Sequence, residues 1–100
     1  MNRQQLFKRL QQIHAAELEL IHKKNQDYGA EQDPFENFRL FGELGFLVRM
    51  SDKLMRIKHI LGSGKVGVKD ESVVDTLMDL SNYANLLMAY LEENEQITKN

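Results

Sequence analysis

Residues 43–62, ELGFLVRMSDKLMRIKHILG, contain the sequence pattern that decides the fold. Apolar side chains recur at helical spacing in this stretch and would cover well over half of the circumference of a helix. Glycine commonly follows the last turn of a helix, so Gly62 predicts a helix from about Glu43 to Leu61. Because a helix that is apolar over most of its surface needs neighbours on several sides, we expect it to be the central helix of a small bundle.

Two further helices are predicted on either side of this one along the chain. Nothing interrupts a helix from about Asn2 to Gln26, and Asn2 followed by Gln5 has the pattern of a capping box. The third helix is predicted from about Ser72 to Glu93, with a frayed polar tail after it. Strand-type alternation is absent from the sequence. The chain is therefore predicted to be all-α, a single helical domain spanning residues 1–100 with three main helices.

The connection between the first two helices, residues 26–42, carries turn residues and four aromatic side chains. Asp33 precedes the only proline of the chain and is therefore unfavourable for a helix. This composition predicts a structured loop pinned by Phe35, Phe38 and Phe41 rather than a flexible linker.

The apolar surface exceeds what three helices can easily bury. On the third helix Met78, Tyr83, Leu86 and Tyr90 lie off the main apolar stripe, and the second helix is apolar over most of its turn. We therefore expect a homodimer or a larger assembly, in which oligomerisation completes the bundle.

Composition excludes several classes of function. The 100 residues include 13 basic and 15 acidic side chains, and the net charge of -2 argues against nonspecific nucleic-acid binding. The chain has no cysteine, which excludes disulfides, thiolate nucleophiles and cysteine-ligated metals. Its apolar runs are far too short to cross a bilayer, so we expect a soluble, cytoplasmic protein that does not contact the membrane.

An acidic row is predicted on the third helix. Glu71, Asp75 and Asp79 follow one another four residues apart, and Asn82 extends the row. Like charges at this spacing destabilise an isolated helix by about 0.2–0.5 kcal/mol per pair. Such a row is typical of a site for a hard divalent cation such as Mg²⁺. The alternative is that these acids form salt bridges with basic side chains of the second helix.

The second helix has one narrow polar strip, formed by Arg49, Asp52, Arg56 and His59, with Lys53 beside it. The strip is either a solvated face or the lining of a groove in which basic groups meet phosphate or the acids of neighbouring helices.

The first helix places a carboxylate in its apolar stripe. Glu17 falls among the leucines and isoleucines that would face the core. Burying it without a partner would cost several kcal/mol, so it needs a cation, a metal or a solvated groove. Lys24 lies on the same stripe two turns later. The alternative is that Glu17 pairs with a basic residue of the second helix.

Four segments carry a family resemblance. They are KKNQDYG (residues 23–29), DPFENF (33–38), VRMSDKLMRI (48–57) and VKDESVVDTLMDLSNYA (68–84). Together they resemble the phage and bacterial nucleotide-modification-associated domain family, over most of the chain from Lys23 onward. The resemblance implies a role in handling nucleotides.

More distantly, acids on several helices of a small bundle resemble the all-α nucleoside triphosphate pyrophosphatases, the MazG and dimeric dUTPase group. Those enzymes bind Mg²⁺ through E-x-x-E on one helix and E-x-x-D on the next, and release pyrophosphate from a nucleoside triphosphate. The resemblance places Asp75 at the aspartate of E-x-x-D. Ser72 occupies its first position, so the neighbouring Glu71 would substitute, while Glu17 and Asp52 would stand in for E-x-x-E.

Two hypotheses from different classes follow. The first is an Mg²⁺-dependent nucleotide pyrophosphohydrolase of the MazG type, with Mn²⁺ able to replace Mg²⁺ and no catalytic residue assigned. Its predicted metal ligands are Asp52, Glu71, Asp75, Asp79 and Glu17. Its predicted nucleotide- or phosphate-binding residues are Lys24, Asp27, Tyr28, Arg49, Lys53, Arg56 and Asn82. The second hypothesis is a noncatalytic helical module that binds a nucleotide or a protein partner, in which salt bridges align the second and third helices.

Overall fold

Three α-helices account for most of the computed structural model. It describes the backbone of residues 1–28, 33–63 and 71–99, and the side chains of 1–25, 33–63 and 73–95. The helices are α1 (Arg3–Tyr28), α2 (Glu43–Gly62) and α3 (Glu71–Lys99), and one 3-10 turn (Glu36–Phe38) precedes α2. The described ranges contain no strand. The prediction of a small all-α bundle is confirmed.

The capping box at the start of α1 is also confirmed. The backbone N–H of Asn2 donates to Oε1 of Gln5 at 2.9 Å, and the backbone N–H of Gln5 donates to Oδ1 of Asn2 at 2.8 Å. Each side chain thus satisfies an N–H group that the first turn leaves without a helical acceptor.

The third helix is longer than predicted. Its backbone remains helical to Lys99, so the predicted end near Glu93 was wrong. Residues 94–99 contain neither glycine nor proline, so the helix meets no local signal to stop. The helix α2 ends at Gly62 as the pattern indicated, and Ser63 closes its last turn by donating from its hydroxyl to the carbonyl of Ile60 at 2.7 Å.

The central helix is α3, which corrects the prediction that α2 holds this position. It packs along α2 and also against α1. The contact with α3 therefore covers only part of the apolar surface of α2. Side chains that the sequence placed off the main stripe of α3, namely Tyr83, Leu86 and Tyr90, belong to its contact with the core.

The core is aromatic. Phe46 of α2 is fully buried, and its ring stacks on that of Phe38 with the centroids 4.1 Å apart. Phe35 and Tyr90 complete the cluster with edge or tilted contacts. Phe35 and Phe38 therefore pin the loop as predicted, but Phe41 is exposed and does not. Gly42 follows it with φ 58° and redirects the chain into α2, which leaves Phe41 on the outer surface.

An ion cluster fastens the same loop to α3. The guanidinium of Arg39 donates to both carboxylate oxygens of Asp33, at 2.8 and 2.6 Å, and lies 3.4 Å from Glu93. It also lies 6.0 Å from the ring centroids of Phe35 and Tyr90, within the range of cation–π attraction. The hydrogen bond from Arg39 lowers the pKa of Asp33. The contacts of Arg39 with Asp33, Glu93 and the aromatic rings thus hold the loop against the core.

Candidate functional site

Three helices meet at the carboxylate of Asp79. The ammonium of Lys24, on α1, donates to Oδ1 of Asp79 at 2.8 Å. The ammonium of Lys53, on α2, lies 3.4 Å from Oδ2 of the same carboxylate on α3. We call these three residues the lysine–aspartate cluster. The sequence left open that the acidic row pairs with a basic side chain of the second helix. Lys53 and Asp79 form such a pair.

The two lysines keep this carboxylate ionised. Burial acts to raise the pKa of Asp79 and is the largest single influence on it. The hydrogen bonds and charges of Lys24 and Lys53 together outweigh burial, so the pKa lies below its ordinary value. The lysine side chains remain partly open to solvent, with 42% of Lys24 and 28% of Lys53 exposed. Two cationic groups are therefore fixed around one anion at the edge of the bundle.

A small cavity lies beside the lysine–aspartate cluster. Its volume is about 20 Å³, enough for one water molecule or one hydroxyl group. Asn82 lines it and is 6% exposed, and its Oδ1 atom has no hydrogen-bond partner in the described part of the chain. Because a buried carbonyl oxygen without a partner is costly, this atom is a ready acceptor for a small polar group.

The buried carboxylate that the sequence singled out lies further along the same pair of helices. Glu17 is 7% exposed, and its Oε2 accepts a hydrogen bond of 3.4 Å from Nδ2 of Asn85 on α3. The partner given by the described structure is thus an amide of α3, and the predicted alternative of a basic residue on α2 was wrong. Glu17 lines an open groove of about 380 Å³ together with His14 and Ser81.

Other predicted site residues, two for phosphate and one for metal, lie on the solvated face of α2. Arg49, Asp52 and Arg56 are exposed, and the guanidinium of Arg49 lies 5.9 Å from the ring centroid of Phe38. Arg49 and Asp52 border an open groove of about 530 Å³, whose walls include Leu44. Among the described side chains, none of these three forms an ion pair with Asp79, whose partners are Lys24 and Lys53. The side chains of three predicted site residues lie outside the described set: Asp27, Tyr28 and Glu71.

The described carboxylates do not converge on one point. Within the side chains that the structure describes, no three groups from histidine, aspartate and glutamate lie close enough to hold a metal ion together. Asp75 is exposed one turn from Asp79, and both oxygens of Asp79 face ammonium groups. Mg²⁺ prefers oxygen ligands in near-octahedral geometry, so these residues alone do not form a fitting site. The Mg²⁺ ligand set stays a prediction.

Comparisons with known proteins identify no relative. No family model matches the chain, and no curated protein and no solved structure matches it. In the described ranges, no helix has the length and apolar character needed to cross a membrane.

Some features of the site were not predicted from the sequence. Lys24 and Asp79 were assigned to different roles, phosphate and metal, although they form one ion pair. Ser81 and Asn85 were not singled out, although both line the groove beside Glu17. The sequence feature that could have indicated this site is the series of polar residues Asp79, Asn82 and Asn85, spaced three apart. Its significance depends on the packing of α1 against α3, which local spacing does not specify.

Proposed function

We propose that this chain is a nucleotide-binding helical module that holds phosphate at Lys24 and Lys53. The observation that carries this proposal is the lysine–aspartate cluster, in which two partly exposed ammonium groups from different helices converge on one point. Ammonium groups are common phosphate ligands because they offer a full charge and three N–H donors. The resemblance to the nucleotide-modification-associated family supports a nucleotide rather than free phosphate as the ligand.

Asp79 contributes by positioning the two lysines. A lysine side chain loses considerable rotamer freedom when it binds a ligand, and this entropy opposes binding. A carboxylate that already holds both ammonium groups removes part of that cost in advance. In this account Asp79 is a positioning residue and its role requires no metal, which favours the noncatalytic module over the enzyme.

Calorimetric titration with nucleoside triphosphates, first without metal and then with Mg²⁺ or Mn²⁺, tests the proposal. We expect binding in the absence of metal that weakens as salt is raised, since salt screens exposed charges. Absence of binding to every common nucleoside triphosphate under both conditions would contradict the proposed function.

The second candidate is an Mg²⁺-dependent pyrophosphohydrolase. The resemblance to the MazG group supports it, as does the position of Asp75, which is exposed one turn before Asp79 on α3. Pyrophosphate release from a nucleoside triphosphate, dependent on Mg²⁺ or Mn²⁺, would establish this candidate in place of the noncatalytic module.

Melting curves of Asp79→Asn and Asp75→Asn separate the two candidates. If Asp79 positions lysines, Asp79→Asn should lower the free energy of unfolding by about 1 kcal/mol, because two ammonium groups lose their counter-charge. Asp75→Asn should change it by less than about 0.5 kcal/mol, as is usual at exposed sites. Mg²⁺ should shift neither variant nor the wild type. A rise in the wild-type midpoint with Mg²⁺ that Asp75→Asn abolishes would instead identify a metal site.

The effect of Asp79 should also depend on pH. The pKa of Asp79 is lower in the folded chain than in the unfolded chain, where it is about 4. Its stabilising contribution is therefore fully present above the unfolded pKa. The contribution disappears as the pH falls through the lower, folded pKa. The gap in stability between the wild type and Asp79→Asn should therefore close in acid.

We also propose that a second copy of the chain covers the apolar face of α2. This face is exposed in the single chain, with between 48% and 63% of each apolar side chain accessible. It consists of Leu44, Leu47, Val48, Leu54, Met55 and Leu61. A face of this extent on one helix favours association, because covering it removes apolar area from water.

The double variant Leu47→Lys/Leu54→Lys is expected to give a monomer of 11.7 kDa, while the wild type has at least twice that mass at micromolar concentration. Both positions lie on one face, seven residues apart, and the new charges would repel each other across an interface. The control Gln4→Lys/Gln11→Lys adds the same charge to exposed positions of α1 and should not alter the mass. Light scattering that finds only the 11.7 kDa species in the wild type would contradict this proposal.

A further inference from the structure

We infer that the groove beside Glu17 binds the base of the nucleotide and selects guanine. This inference rests on the proposed function, since it assigns the second half of the same ligand. The juxtaposition that supports it is a buried carboxylate, an amide and a hydroxyl at one end of the α1–α3 seam, with the lysine–aspartate cluster at the other end.

The buried carboxylate of Glu17 requires hydrogen-bond donors. A carboxylate accepts at several lone pairs, and the described side chains supply it with one long hydrogen bond, from Asn85 at 3.4 Å. No ammonium or guanidinium group among the described side chains lies within 4.0 Å of it. Such a group takes its remaining hydrogen bonds from water in the open groove or from a ligand with strong N–H donors. The groove gives that ligand direct access.

The distance between the two ends suits one nucleotide. Glu17 and Lys24 lie seven residues apart on the same helix, about 10.5 Å along its axis. Ile21 stands between them and lines both the groove of about 380 Å³ and the cavity of about 20 Å³. The unpartnered Oδ1 of Asn82 lines the cavity, where it could accept a sugar hydroxyl. The seam thus offers acceptors at one end and cations at the other.

The two acceptor oxygens of the Glu17 carboxylate favour guanine over the other bases. Guanine carries two adjacent donors on one edge, the ring N1–H and the exocyclic amino group, which match the two oxygens of a carboxylate. Adenine and cytosine each place a ring nitrogen acceptor beside their amino group, and uracil places its single N–H between two carbonyls. Each of these would direct an acceptor at Glu17 and leave a buried polar atom unpaired. Leu18 and Ile21 provide apolar surface for the ring.

Calorimetric titration without added metal tests the inference with three ligands: GTP, ATP and inorganic triphosphate. We expect wild-type protein to bind GTP at least about tenfold more tightly than ATP, since one good bidentate contact to a base discriminates by about that factor or more. Glu17→Gln should remove the preference for GTP and leave binding of inorganic triphosphate unchanged. The matched control is Glu19→Gln, which removes an exposed charge from the same helix and should keep the preference.

Each result has a distinct meaning. Equal binding of GTP and ATP by the wild type, together with binding of inorganic triphosphate, would overturn the guanine site and leave the proposed function standing. No binding of any of the three ligands would overturn the guanine site. It would also overturn the proposed function once the other common nucleoside triphosphates failed to bind with and without metal. A preference for GTP that survives Glu17→Gln would overturn the role of Glu17. The wild-type comparison needs no variant, so the inference is testable whatever the stability of Glu17→Gln.

Discussion

Phe46→Ala is expected to lower the free energy of unfolding by about 3–5 kcal/mol, the usual cost of truncating a buried phenylalanine. Phe46 is fully buried and contacts the rings of Phe35, Phe38 and Tyr90, so its removal opens a cavity at the junction of the loop, α2 and α3. A domain of this size has a total stability of about 5–15 kcal/mol, so the variant should lose a substantial share of it. Urea denaturation followed by circular dichroism measures the loss.

Phe7→Ala is the matched control for this variant. Phe7 is 57% exposed on the first turns of α1, and the same truncation there should change stability by less than about 0.5 kcal/mol. Equal losses for the two variants would show that the aromatic cluster is not the main core of the chain.

Lys24→Gln/Lys53→Gln is expected to weaken binding of inorganic triphosphate by about a hundredfold or more. Each hydrogen bond from a charged donor contributes about 1.5–3 kcal/mol, and this variant removes two charged donors from one point. Glutamine keeps part of the apolar stem of lysine and still offers N–H donors, so the substitution removes the charge with a limited loss of packing. Equilibrium binding at low salt measures the effect.

Lys23→Gln/Lys58→Gln provides the control for charge. Both lysines are exposed and lie on α1 and α2, so the same charge is removed from the same two helices. Binding of triphosphate should remain within about threefold of the wild type, because exposed charges outside the site act only through screened, long-range attraction. Equal weakening by the two double variants would show that binding follows net charge and not the lysine–aspartate cluster.

Features set by local sequence could be predicted. The capping box of Asn2 and Gln5 requires residues only three apart, and the bounds of α2 follow from its apolar spacing and its flanking glycines. The position of Glu17 in the apolar stripe was predicted for a similar reason, since it depends on helical periodicity alone, and Glu17 is buried there.

Features set by packing could not be predicted in this way. Both α2 and α3 carry broad apolar faces, and spacing alone does not determine which helix lies between the other two. The exposure of Phe41 follows from the positive φ of Gly42, a turn whose direction the sequence does not reveal. The same limit applies to the site: the sequence singled out Lys24, Lys53 and Asp79, but their meeting depends on how three helices pack.

The most direct test of the central claim follows the ammonium resonances of the lysine side chains by nuclear magnetic resonance while GTP is added. If Lys24 and Lys53 hold the phosphate groups, their resonances should shift in step with saturation, and those of Lys23 and Lys58 should remain in place. Saturable binding that shifts other lysines and leaves Lys24 and Lys53 unchanged would contradict the assignment of the phosphate site to the lysine–aspartate cluster.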